Sequence, residues 1–99
     1  ETAEEGVARE VKEETGLRVE AAEYLFTIPN VYIYSGFAVH TLDLFFRCTV
    51  SDLTRMTAMD DVADSFFVPL SSIHPEDFGL DSVRKGVVQF LAKHQAKLR

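Results

Sequence analysis

Arg9-Glu10-Val11-Lys12-Glu13-Glu14-Thr15-Gly16-Leu17 is the stretch on which the reading of this chain turns. At about 100° per residue, Glu10, Glu13 and Glu14 share roughly a 100° arc of a helix. Ala3, Val7 and Val11 form an adjacent apolar stripe, expected to face a sheet. The three carboxylates therefore border the buried side, while Glu5 and Lys12 point to solvent. The helix is predicted over residues 2–15. Thr2 and Glu5 make a Thr-x-x-Glu capping box at its start, and Gly16 supplies the left-handed position at its end. Like charges held this close repel one another. A hard divalent cation offsets that repulsion, and Mg²⁺ or Mn²⁺ suits an all-oxygen ligand set. On composition alone, such a cluster is most often a solvated helix face.

The specific string overturns that prior. Arg-Glu-aliphatic-x-Glu-Glu-x-Gly-aliphatic resembles the core of the Nudix box, the signature of the Nudix hydrolase family, and Glu1 stands at the family's outlying Glu position before Arg9. A chance match to the fixed positions of the string is on the order of one in a hundred thousand. The box occupies residues 1–17, and its opening Gly would precede Glu1. The resemblance implies an α/β/α sandwich with a mixed sheet, of which residues 1–99 would be the C-terminal two-thirds or so, with further strands before the box.

It also implies site residues. Glu10 and Glu14 resemble the principal metal-binding pair, and Glu13 resembles the neighbouring ligand or base. Arg9 resembles the Arg that holds the box carboxylates, and Glu1 the structural Glu that braces the motif. Glu13, Glu10 and Arg9 are thus the catalytic candidates, and Glu10, Glu13 and Glu14 the metal candidates. A further acid is expected from a loop before the last strand. Asp60, Asp61 and Asp64 occupy that stretch, with Asp61 favoured and then Asp60, although a solvated acidic loop, or turn and cap roles for Asp60 and Asp61, fits equally well. The implied reaction is metal-dependent hydrolysis of a pyrophosphate bond in a nucleoside diphosphate linked to another group, with ADP-ribose first. Tyr32, Tyr34 and Phe37 are candidates to stack a purine, with strand or dimer contacts as the alternative role. A sensor domain that binds a nucleotide without turnover is the competing function. Retention of every box carboxylate favours the enzyme.

Downstream, residues 18–28 read as a strand closed by Pro29-Asn30, with 31–36 either strand edge or loop. Residues 37–50 give the clearest strand. Ala38, Leu42, Leu44, Phe46, Cys48 and Val50 share one face, and the partly apolar reverse suggests a central strand covered on both sides. Residues 51–63 read as a polar loop, 65–69 as a short strand stopped by Pro69, and 82–97 as a helix with Val83, Val87, Phe90, Leu91 and His94 at helical spacing. Three or four strands between two helices are expected.

The wider composition bounds the rest. Ninety-nine residues suit one domain, and a net charge of −6 argues against nucleic acid or an anionic membrane surface as partner. A single cysteine, Cys48, excludes an internal disulfide and suits a reducing, cytoplasmic setting. A homodimer through Phe37, Phe45, Phe66 and Phe67 is compatible with the pattern.

Overall fold

The computed structural model describes residues 1–56 and 67–97. It holds a helix α1 (Ala3–Thr15), strands β1 (Val19–Tyr34) and β2 (Phe37–Val50), and a helix α2 (Asp81–Lys97). Short 3-10 turns lie at Leu53–Arg55, Leu70–Ser72 and Pro75–Asp77. The two strands pair antiparallel, consistent with part of an α/β/α Nudix fold.

Two compact units divide the chain: Glu1–Phe26 with the described part of Phe46–Phe67, and Thr27–Phe45 with the described part of Val68–Arg99. In the first, Leu17 and Phe26 are buried, and Val7, Ala8, Val11 and Thr15 of α1 are half-buried. That face follows the i, i+4 spacing of an amphipathic helix. Ala3, expected on the same stripe, is exposed in the first turn. Tyr24 and Phe46 meet edge to face across the strand pair, ring centroids 5.8 Å apart. The Ser51 N–H donates to the Arg18 carbonyl at 3.3 Å, tying the end of β2 to the residue before β1.

In the second unit, the outer half of the hairpin turns through Ser35 and Gly36, with φ of 50° and 82°. Positive φ at both central residues is what a two-residue hairpin turn of type I′ requires. The segment 31–36 is thus strand to Tyr34 followed by the turn. Pro29 does not close β1, which runs through it. Among the described residues the sheet has two strands, so β1 is an edge, where a residue without an N–H is tolerated.

Among the described residues β2 likewise has one neighbouring strand, where a central strand covered on both sides was expected. Val39, Thr41, Asp43 and Phe45 are half-buried, followed by Phe46, Cys48 and Val50, while Ala38, Leu42 and Leu44 are exposed. The protected parity therefore changes at Phe45-Phe46, and the single apolar face predicted for 38–50 holds only for its last residues. Residues 67–69 are irregular rather than strand, and 65–66 lie outside the described residues.

Helix α2 packs through its smallest residues. Ser82 and Gly86 are its buried positions, with Val83, Val87, Phe90, Leu91 and His94 half-buried around them. The Ser82 hydroxyl donates to the Asp43 carboxylate of β2. A Cβ at Gly86 would collide with the Phe45 ring, so glycine permits the helix to lie directly on that side chain.

Candidate active site

The site is built on α1, whose ends are fixed locally. Thr2 Oγ1 accepts from the Glu5 N–H at 3.1 Å, and the Glu5 carboxylate accepts from the Thr2 N–H at 3.1 Å. Both members of the capping box are therefore made. At the other end Gly16 adopts φ 76° and its N–H donates to the Lys12 carbonyl at 2.9 Å. Thr15 Oγ1 donates to the Val11 carbonyl at 2.6 Å and accepts from the Leu17 N–H at 3.2 Å, turning the chain toward buried Leu17. A helix stopped at both ends holds the side chains between them in fixed angular order.

Arg9 organises three carboxylates. Its Nε donates to both Glu1 oxygens, at 3.1 and 3.0 Å, and its Nη2 to Glu1 Oε1 at 2.7 Å. Its Nη1 donates to Glu10 Oε1 at 3.2 Å and Glu13 Oε2 at 3.0 Å. A planar guanidinium is suited to this divided geometry, whereas an ammonium is not. The hydrogen bonds from Arg9 hold the Glu1 carboxyl below its ordinary range. The carboxylates of Glu1 and Glu13 in turn raise the Arg9 pKa.

Among the described residues, one oxygen each of Glu10 and Glu13 remains uncommitted, as do both oxygens of Glu14. Glu10 and Glu14 stand one turn apart, so the two residues share one side of the helix. Arg9 lowers the repulsion among the acids without consuming all their acceptors. The donor set is hard, anionic and solvent-accessible, and in these respects it fits Mg²⁺ or Mn²⁺. The described residues contain no grouping of three or more His, Cys, Asp or Glu already poised around a cation. Asp61, with Asp60 and Asp64, lies outside the described residues.

The stacking candidates belong to the other unit. Tyr34 and Phe37 flank the hairpin turn, with Tyr32 two residues before Tyr34 in β1. Tyr34 is 68 % and Phe37 75 % exposed, so their ring faces are open to contact. The sequence reading missed the Ser82–Asp43 bond and the Gly86 contact. Their signal was a pair of small residues four apart on a helix, against a strand carrying a lone acid.

Residues 1–90 match the family model described as NUDIX domain. The chain belongs to the Nudix family, whose members hydrolyse nucleoside diphosphate derivatives and generally use divalent metals such as Mg²⁺. No curated protein and no solved structure matches it. No helix among the described residues is long and apolar enough to cross a membrane.

Proposed function

We propose that this protein is a divalent-metal-dependent pyrophosphohydrolase acting on adenosine diphosphate linked to another group, in a reducing cytoplasmic setting. The observation that carries the reading is the Arg9 clasp. It holds Glu1, Glu10 and Glu13 in register while leaving Glu14 uncommitted on the same helix of a family built for this hydrolysis. Glu10, Glu13 and Glu14 are the residues that would hold Mg²⁺, with Asp61 as a fourth candidate. The ion supplies charge neutralisation to the diphosphate when bound.

The chain's own residues do the rest. Arg9 fixes the orientation of Glu10 and Glu13, so that their free oxygens need no reorganisation when phosphate arrives. Glu13 or Glu10 takes the proton of the attacking water, for which a carboxylate within hydrogen-bond reach suffices. Glu1 anchors the far side of Arg9, and Gly16 ends the helix beyond Glu14. Tyr32, Tyr34 and Phe37 offer aromatic faces for the adenine. ADP-ribose is the first substrate to assay, followed by dinucleoside polyphosphates and oxidised nucleoside triphosphates.

The test is release of nucleoside monophosphate by the full-length protein with and without Mg²⁺. Metal-dependent release that disappears in Glu14→Gln supports the enzyme. Tight nucleotide binding with no release under any metal would instead make the domain a sensor.

A further inference from the structure

The end of α1 leads into a recess of about 240 Å³ lined by Gly16, Leu17, Arg18, Ser51 and Asp52. It is a constructed feature rather than a gap between loose loops. Its two walls are tied by the backbone bond from Ser51 to Arg18, and Leu17 beneath is one of the most buried apolar residues described. Asp52 is held by its own turn, its carboxylate accepting from the Thr54 N–H at 3.1 Å and the Thr54 hydroxyl at 2.6 Å. The Arg18 guanidinium, in contrast, has no hydrogen bond or ion pair among the described residues. Arg9 is committed to three carboxylates and Arg84 to the Phe78 carbonyl, whereas Arg47, like Arg18, has no such bond among the described residues but does not line the recess.

Size and position narrow the ligand. Pockets that enclose a whole drug-sized molecule run from ~300 to ~1,000 Å³, so this recess takes one substituent of a larger molecule. Gly16 lies two residues past Glu14, so the recess begins where the helix that carries the box carboxylates ends. Arg18 and Ser51 both line the recess, while its one acid, Asp52, is turned to Thr54, and a guanidinium with a hydroxyl suits a phosphoryl oxyanion.

We propose that the recess is an anion subsite and that Arg18 is a specificity-determining residue, holding a phosphoryl group that the substrate carries beyond the bond that is cleaved. The proposal rests on the hydrolase reading and deepens it. It divides adenine diphosphates into those with a charged distal group, which Arg18 grips, and those with a neutral distal sugar, which it does not.

The experiment compares diadenosine tetraphosphate with ADP-ribose, using the full-length protein, Arg18→Gln and Arg18→Lys at fixed Mg²⁺. Arg18→Gln should raise KM for the tetraphosphate roughly tenfold or more, the loss expected for one hydrogen bond between charged groups. Its kcat, and both parameters for ADP-ribose, should stay within about twofold, because Arg18 is not asked to act on the reacting bond. Arg18→Lys should restore part of the KM, since charge returns without the fork. Equal losses on both substrates, or none on either, would overturn the subsite. A second arm needs no turnover: titration of metal-free protein with inorganic pyrophosphate, read by amide shifts at residues 16–18 and 51–52. Shifts in the wild type that vanish in Arg18→Gln support the subsite even if neither substrate is hydrolysed, an outcome that would fell the hydrolase reading alone. Unmoved amides in the wild type would sink the subsite while leaving the hydrolase standing.

Discussion

Helices α1 and α2 are held in opposite ways. α1 is organised by residues within its own reach in sequence: a capping box over three residues, an Arg9–Glu13 pair over four, and an Arg9–Glu1 clasp over eight. α2 is positioned by partners some forty residues away, through Ser82 on Asp43 and Gly86 on Phe45. Local bonds among exposed charges are worth little to stability, because water competes for both partners. Buried long-range contacts are worth more, because nothing replaces them when they are lost. The helix rich in charged bonds is therefore the one free to carry chemistry, and the helix with few is the one that carries the fold. Substitutions on the two should separate cleanly in activity and in stability.

The largest effect belongs to α1 and falls on rate. Glu14→Gln keeps the shape of the side chain and removes its charge, and should lower kcat/KM by roughly 10²–10⁴-fold. Glu14 makes no bond among the described residues, so the melting temperature should move by no more than about 2–4 °C. A variant that lost activity only because it unfolded would erase the contrast between the helices.

The next effect belongs to α2 and falls on stability. Gly86→Val forces two methyl groups toward the Phe45 ring, and overpacking of this kind costs about 1–3 kcal/mol. Part of that is offset by the better helix propensity of valine over glycine, roughly 0.3–0.5 kcal/mol. Denaturant unfolding should show a lowered midpoint, while the activity of the remaining folded protein stays near wild type. The Phe45→Leu background sharpens the test, since a smaller, more adaptable side chain should shrink the penalty. An equal penalty in both backgrounds would mean that the ring is not what excludes a side chain at position 86.

Asp43→Ala is a milder form of the same test. It strands the hydroxyl of Ser82, which is 1 % exposed, at a cost of about 1–2 kcal/mol. Asp43→Asn keeps an acceptor and should lose less. If the two variants unfold alike, the bond does not help seat α2.

This division also explains what was legible in the sequence. The caps of α1 are short-range, so spacing foretold them, and the hold of Arg9 on the box carboxylates was implied by the family resemblance. Pro29 was misleading because its usual strand-ending role lapses on an edge, and edge status depends on which strands pair. The hairpin turn was obscured because Ser35, rather than asparagine or aspartate, takes the positive φ before Gly36. The change of protected parity at Phe45-Phe46 was invisible because both faces of β2 carry apolar residues. In α2, attention to large apolar residues passed over Ser82 and Gly86, where closeness depends on what is missing from the side chain. The carboxylates were legible as a motif. The recess at Arg18 was not, because it joins residues 16–18 to 51–52.

The smallest expected effect returns to α1 and concerns pH. Arg9 holds the Glu1 carboxyl below its ordinary value near 4.5, chiefly by hydrogen bonding to the charged form. A depressed folded-state value means that the clasp contributes fully above the ordinary range and is lost as pH falls through the lower folded value. Both side chains are nearly half exposed, so the contribution is slight and screened by salt. A carboxyl-carbon NMR titration should find Glu1 protonating at lower pH than an unpaired glutamate, with the Arg9 Nε–H signal moving over the same interval. In Arg9→Gln that depression should disappear, and 1 M salt should narrow it in the wild type. If Glu1 titrates at its ordinary value with Arg9 present, then the clasp does not order Glu10 and Glu13 in solution. The preorganisation assigned to α1 would then have to arise when the cation binds.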